Sequence, residues 1–404
     1  MHAASVLDSA YSWKRLALTL LIATICNVGM WSIIVIMPDV QSEFATDRAA
    51  ASIPYTLTMA GFALGNFAIG RAVDRFGITW ALIGAAAALG IGYTGAAASP
   101  SIMMLSAFQA LIGLGTAAGF APLIADLSHW FLRRRGIAVA IVACGNYLAG
   151  VVWPTLLQGI QADSGWRGVY FALAAIIVVT VPPLSLTLRR RFVEQVLPAA
   201  PTGPVVETRS VPFSPRALQW LLGLAGVGCC VAMSMPQVHI VSLCVDLGFG
   251  PVAGAEMLSL MLMGGVVSRL VSGLIADRLG GVRTLLIGST LQCIALFLYL
   301  PYDGLVSLYV VSLVFGLSQG GIVPSYALIV REYLPAKEAG ARVGFVIMAT
   351  IVGMALGGWM SGWIYDVTGN YQAAFLNGIA WNVLNIAIIA TIFLRSRRNT
   401  ALAA

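Results

Sequence analysis

The chain has 404 residues, 59% of them hydrophobic and only 10% charged, with a mean hydropathy of +0.90 and a formal net charge of +7. Soluble domains carry roughly 25% charged residues, so the composition excludes a water-solvated globular domain and points to lipid as the solvent. An apolar stretch of about 18 or more residues spans a bilayer as a helix, because only bonds within the segment satisfy its backbone in hydrocarbon.

About twelve such stretches begin near residues 16, 51, 78, 101, 136, 167, 217, 250, 282, 304, 340 and 372. They predict an all-α polytopic membrane protein with twelve transmembrane helices. The first follows Lys14-Arg15 and runs to Pro38-Asp39. It is longer than the 7–15 apolar residues of a secretory signal and ends without a small-residue cleavage site, so it reads as a span. The stretch between residues 188 and 216, "LRRRFVEQVLPAAPTGPVVETRSVPFSPR", is rich in proline and charge and reads as a linker. It separates a first half (1–188) from a second (217–404), with the linker itself at 189–216. With alternating helices and a cytoplasmic N-terminus, 20 of the 23 Lys and Arg fall on the cytoplasmic side; the exceptions are Arg48, Arg167 and Arg269. The positive-inside rule then puts both termini in the cytoplasm. The basic excess therefore reports topology and not a nucleic-acid partner. All six cysteines lie within predicted spans without metal-ligand spacing, and read as small packing residues.

The two halves repeat one pattern. "GRAVDRFG" (70–77) and "GLIADRLG" (273–280) share Gly, Asp, Arg and Gly at an offset of 203 residues, which also carries Gly113 to Gly316 and Asp163 to Asp366. Two parallel six-helix halves imply a site between them near the midplane, opened alternately to each side. The G-x-x-x-D-R-x-G pattern after the second span, repeated after the eighth, resembles the signature of the major facilitator superfamily. Gly70, Asp74, Arg75 and Gly77 match it, although "ITW" replaces the basic residues that often follow. The resemblance covers nearly the whole chain and implies the major facilitator fold, two pseudo-symmetric six-helix halves. It also implies a gating latch in which Asp74, Arg75, Asp277 and Arg278 form charge pairs on the cytoplasmic side, with the glycines allowing a tight turn and a close helix approach.

Four further stretches are similar to the monocarboxylate transporter and oxalate–formate exchanger branch, in its bacterial members: "WFLRRRGIAVAIVACGNYLAGVVWP" (130–154), "VVSRLVSGLIADRLG" (266–280), "PQVHIVSLCVDLGFG" (236–250) and "FATDRAAASIPYTLTMAGFALG" (44–65). Arg269 stands out among them. Eight residues from Asp277, at about 1.5 Å per residue, it lies roughly 12 Å inside its helix end. An uncompensated cation at that depth costs about 2.5–3.5 kcal/mol or more, and the acidic residues all fall in loops or at helix ends, Asp126 coming closest and suiting nearby loop arginines better. A planar, permanently charged fork suits a carboxylate, the role that the resembling arginine has in that branch; the other reading is a structural or gating arginine. The repeat maps Arg269 onto Asn66, so one half offers a cation and the other a neutral amide. The branch's oxalate exchangers carry a second cation on helix 11, where "VGFVIMATIVGMALGGWMSGW" has none. That departure favours a monocarboxylate over a dianion.

Other candidates have two readings each. His239, the only histidine within a span, either relays a proton or is a neutral histidine bonded to another helix. Tyr326 and Phe120 match places where aromatics line the cavity in relatives, or simply pack. Asn27 and Trp31 share one face of helix 1, and Asn146 and Tyr147 precede a Gly/Pro-softened stretch of helix 5. Asn377, Asn382 and Asn385 read as bonds between helices. No phosphate loop, metal cluster or acid–base pair is present, so neither an enzyme nor a cofactor is expected. The expected molecule is a monomeric secondary transporter in the bacterial inner membrane. It carries a small carboxylate by alternating access with a proton as co-substrate; carboxylate exchange, or efflux of an anionic or neutral amphiphile, is the alternative.

Overall fold

Helix boundaries follow local chemistry along the whole chain. In the computed structural model, which describes residues 7–190, 213–301, 304–334 and 339–403, the first half contains α1 (Ala10–Cys26), α2 (Val28–Glu43), α3 (Arg48–Phe76), α4 (Ile78–Ala97), α5 (Ile102–Thr116), α6 (Ala121–Ser128), α7 (Arg135–Ala143) and α8 (Gly145–Thr187). The second contains α9 (Pro215–Asp246), α10 (Gly250–Leu279), α11 (Gly281–Leu298), α12 (Leu305–Gln319), α13 (Ile322–Tyr333), α14 (Ala339–Thr368) and α15 (Gln372–Ala403). No strand occurs among the described residues. Most of the expected 189–216 linker, residues 191–212, lies outside them.

Ser9, Asp47 and Ser101 cap α1, α3 and α5 by accepting from the backbone N–H three residues on. Gly77 and Gly280 turn the chain between α3 and α4 and between α10 and α11, with φ of 88° and 79°. A side chain rarely adopts those angles, so both copies of the repeated motif end on glycine for one backbone reason. Outside the membrane helices, Asp8 accepts bonds from the backbone N–H groups of Leu132, Arg133 and Arg134. These donors, Arg133 foremost, hold its carboxyl below the ordinary aspartate range.

Ten helical stretches among the described residues are long and apolar enough to cross a membrane. Two features explain the difference from about twelve. Gly136–Thr187 carries two of the predicted spans as one stretch, redirected at Gly165 (φ 65°). The 29-residue α3 is not among the ten, because Ser52, Pro54, Thr56, Thr58 and Asn66 lower the hydropathy of the part that precedes the charges Arg71, Asp74 and Arg75. Large apolar side chains such as Leu64, Phe67, Trp220 and Val306 stand exposed on helix surfaces, as lipid-solvated faces require.

Among the described residues, α1 meets α2 at Asn27 and α7 meets α8 at Cys144 with helical φ and ψ, while α5 passes into α6 through a 3-10 turn at Ala117–Gly119. α12 passes into α13 at Gly320 and Gly321, 203 residues after the 3-10 turn, so the repeat extends to its helix breaks.

The chain falls into two structural units, residues 1–195 with 240–262, and 196–239 with 263–404. In the first, α3 and α5 cross on glycine. A Cβ at Gly61 would lie 1.9 Å from the Ala110 carbonyl oxygen, and one at Gly113 would lie 2.0 Å from that of Thr58. In the second, Gly264 sits equivalently against α12, with Leu313 and Leu317 backbone atoms 3.0 Å from its Cβ position.

Candidate functional site

In the first unit, the candidate residues of helices 1, 2, 4 and 5 gather around these helix junctions. Asn27 is fully buried, and its amide donates to the carbonyls of Ala23 and Gly119, each at 2.8 Å. It thereby ties the α1–α2 junction to the 3-10 turn. Phe120 follows that turn with φ −124° and ψ −99° and meets Phe62 at 6.1 Å between ring centres. One turn along α3, Asn66 donates to the Phe62 carbonyl. Trp31, one turn from Asn27, donates from Nε1 to the Asn146 carbonyl at 2.8 Å and lies against Gly150. Tyr147 is buried beside Asn146. The Oδ1 atoms of Asn27, Asn66 and Asn146 have no hydrogen-bond partner among the described residues. For Asn27 and Asn66 the donors to carbonyls fix which amide atom is oxygen, so both present acceptors.

In the second unit, Arg269 is 9% exposed and donates from Nε to the Gly320 carbonyl at 3.3 Å. Gly320 N–H donates in turn to Ser268 Oγ at 3.1 Å. The approach needs glycine: a Cβ at Gly320 would lie 2.2 Å from the Gly265 oxygen and 2.6 Å from the Arg269 nitrogen, and one at Gly321 would lie 2.1 Å from Ser272 Cβ. The α12–α13 break is thus seated on the turn of α10 that carries Arg269. The small residues Gly265, Ser268 and Ser272 serve that seating.

Tyr326 lies elsewhere. It is fully buried, and its hydroxyl donates to Asn385 Oδ1 at 2.7 Å. Asn385 continues to Asn382 and Ser289, making a network between α11, α13 and α15. His239 is also fully buried, with Nε2 2.8 Å from the Gly358 carbonyl and Nδ1 3.1 Å from the Tyr371 hydroxyl. A carbonyl only accepts, so Nε2 carries a hydrogen, while Nδ1 accepts from the Tyr371 hydroxyl in the neutral ring and donates to its oxygen in the charged ring.

The repeated-motif charges are not brought together. Asp74, Arg75, Asp277 and Arg278 are exposed, and none enters the three ion pairs found among the described residues. Arg75 lies over the Phe76 ring, and Asp74 lines a cleft of about 520 Å³ with Asp126, His129 and Arg190. A Cβ at Gly70 meets nothing within 4 Å, so its expected close approach is also unformed, while Gly77 does make its turn. Two pairs have partners that spacing did not indicate. Asp126 binds Arg15, at 2.7 Å, and not the loop residues Arg133 and Arg134; Arg48 binds Asp246 at 3.0 Å. A third polar pair was also missed, Gln237 with Gln319 at 2.7 Å; an amide inside a span is the signal that marks both residues.

The model of the Major Facilitator Superfamily matches residues 19–307 and, in a second overlapping match, 245–403. The chain belongs to this superfamily. Among curated proteins it is 29% identical over 391 residues to monocarboxylate transporter 11 of Homo sapiens, covering 91% of this chain and 80% of that protein. It is 28% identical over 317 residues to monocarboxylate transporter 13 of Rattus norvegicus, covering 76% and 71%. In fold it resembles a bacterial homolog of the human lysosomal transporter Spinster, solved inward-facing and occupied. The TM-score is 0.72 at 14% identity, with 96% of this chain and 98% of that one covered. This superfamily member is therefore a multi-pass membrane transporter related to monocarboxylate transporters.

Proposed function

We propose that this transporter moves a small organic monocarboxylate by alternating access, with Arg269 as the anchor of the carboxylate group. The observation that carries the reading is a permanently charged fork, 9% exposed, deep in α10 and seated beside a helix break. Interrupted helices expose backbone at membrane depth only where it lines a cavity or is buried in protein. The bond to Gly320 engages Nε and so orients the guanidinium plane, which suits two-point recognition of a planar anion. The similarity to monocarboxylate transporters 11 and 13 supports the same class of cargo.

A proton is the proposed co-substrate, because carrying an anion alone into an inside-negative compartment opposes about 2.3 kcal/mol per charge per 100 mV. His239 is one carrier and the substrate's own carboxyl group the other. The Tyr371 hydroxyl can donate to Nδ1 or accept from it, so the pair accommodates the ring with and without the extra proton. The proposed setting is a bacterial inner membrane, with a monomer whose termini are cytoplasmic, as the distribution of Lys and Arg supports. Asn27, Trp31, Phe120, Asn66, Asn146 and Tyr147 of the first unit are proposed as further substrate-binding residues.

The test is a carboxylate-binding screen on the purified protein, read as thermal stabilisation and repeated with Arg269→Ala. The expected result is loss of stabilisation by every acid that binds the wild type; stabilisation that survives the substitution overturns the anchor. Uptake driven by a pH gradient in vesicles, abolished or kept in His239→Ala, assigns the proton carrier. Uptake indifferent to the gradient and dependent on internal carboxylate indicates exchange.

A further inference from the structure

His239, on α9, is 0% exposed, and its Nε2 hydrogen is committed to the Gly358 carbonyl of α14 at 2.8 Å. A second proton can therefore settle only on Nδ1, which lies 3.1 Å from the Tyr371 hydroxyl. A hydroxyl both donates and accepts. It gives its hydrogen to Nδ1 while the ring is neutral and takes a bond from Nδ1 once the ring is charged.

Position gives Tyr371 a second property. It directly precedes α15, in the turn that Gly369 (φ 74°) opens. Residues 366–370 and Gln372 on either side are exposed, whereas Tyr371 is 1% exposed. His239 lies about 10 Å along α9 from its end at Asp246. The tyrosine thus has its backbone in a solvent-facing turn and its hydroxyl on a histidine inside a helix. Of the titratable groups on neighbouring elements, Tyr365 of α14 lies with its ring centre 4.5 Å from that of Tyr371. Asp366 of α14 and Glu256 of α10 are exposed, and Asp246 of α9 pairs with Arg48. The first half lacks the arrangement: the 203-residue offset maps His239 onto Ile36 and Tyr371 onto Gly168.

We infer that Tyr371 is a positioning residue that delivers the co-substrate proton to His239 from the turn at 366–372, the outer face in the proposed topology. A hydrated proton at the turn binds the hydroxyl oxygen as the hydroxyl's own hydrogen passes to Nδ1. The tyrosine ends neutral, and the ring carries one positive charge with Nδ1–H donating to the tyrosine oxygen. This inference rests on His239 as the proton carrier.

The test reconstitutes the full-length protein in vesicles with labelled 2-oxopropanoate, 2-hydroxypropanoate and phenylacetate as probes. It compares uptake driven by a pH gradient with counterflow, the exchange of labelled for unlabelled acid, which needs no net proton movement. In Tyr371→Phe, which keeps the ring and removes the hydroxyl, gradient-driven uptake is expected to fall about tenfold with counterflow unchanged. His239→Ala is expected to lose gradient-driven uptake and keep counterflow, and adding Tyr371→Phe to it should change nothing further. Uptake unchanged in Tyr371→Phe but lost in His239→Ala overturns the relay and leaves the histidine standing as carrier. Uptake and counterflow falling together in Tyr371→Phe shows a structural role and also overturns the relay. If Tyr371→Phe does not fold, 3-fluorotyrosine at position 371, whose hydroxyl gives up its hydrogen more readily, is expected to move the pH profile of uptake; an unmoved profile overturns the relay. Gradient-driven uptake that survives His239→Ala overturns the carrier and the relay with it. Transport of none of the three acids by the wild type overturns the carboxylate reading itself.

Discussion

The glycine crossing between α3 and α5 allows a comparison across the internal repeat. In Gly61→Ala the new methyl meets the Ala110 oxygen at 1.9 Å, its carbonyl carbon at 2.8 Å and the Leu114 nitrogen at 3.0 Å. All three are backbone atoms, so no side chain can swing away. Restoring ordinary contact, about 3.5 Å, requires the two helices to part by roughly 1.5 Å, which also breaks the packing at Gly65 and Gly113. Overpacking of this kind costs about 1–3 kcal/mol or more, against a helix-propensity gain of about 1 kcal/mol. Gly264, its repeat equivalent in α10, meets backbone at 3.0, 3.0 and 3.1 Å. There a shift of a few tenths of an ångström suffices, and the propensity gain about offsets it. Gly70, with nothing within 4 Å, should gain stability or stay unchanged on replacement by Ala. The assay is thermal unfolding in detergent, read with a thiol-reactive fluorophore, because all six cysteines are free and buried. The expected order of melting temperature is Gly70→Ala at or above wild type, Gly264→Ala near wild type, and Gly61→Ala several degrees lower. Equal melting of Gly61→Ala and Gly264→Ala would refute the reasoning.

Asp126→Ala should destabilise by about 3 kcal/mol, near the lower end for a broken buried pair, because Arg15 is 1% exposed and the Asp126 side chain only 18%. The double variant Arg15→Met with Asp126→Leu should recover part of the loss, and an unchanged melting temperature in Asp126→Ala would show that the Leu188 and Arg190 carbonyls alone satisfy the guanidinium. Tyr326→Phe removes the 2.7 Å bond to Asn385 and should lower stability by about 1–2 kcal/mol with carboxylate affinity unchanged within twofold. A tenfold loss of affinity at constant melting temperature would instead make Tyr326 a substrate contact.

The sequence made the repeat legible because glycine requirements are local. Gly77 and Gly280 need positive φ whatever surrounds them, and the offset they define finds the breaks at Ala117–Gly119 and Gly320–Gly321 and places Arg269 at depth. The apolar stretch from residue 51 is legible as a span although α3, which also carries Asn66 and the motif charges, falls outside the ten most apolar stretches. Partners are less legible still. That Asp126 meets Arg15 across 111 residues, or that Tyr326 turns to Asn385, depends on helix rotation, which fixes which face a residue presents and which spacing along one helix does not report. The motif charges fail for another reason. Exposed pairs are worth about 0–1 kcal/mol, so composition does not dictate whether they form. Arg269 lies between these cases. Its burial and charge follow from position alone, but its orientation comes from the Gly320 carbonyl, which reaches it only because two successive glycines let the broken helix come within contact of α10.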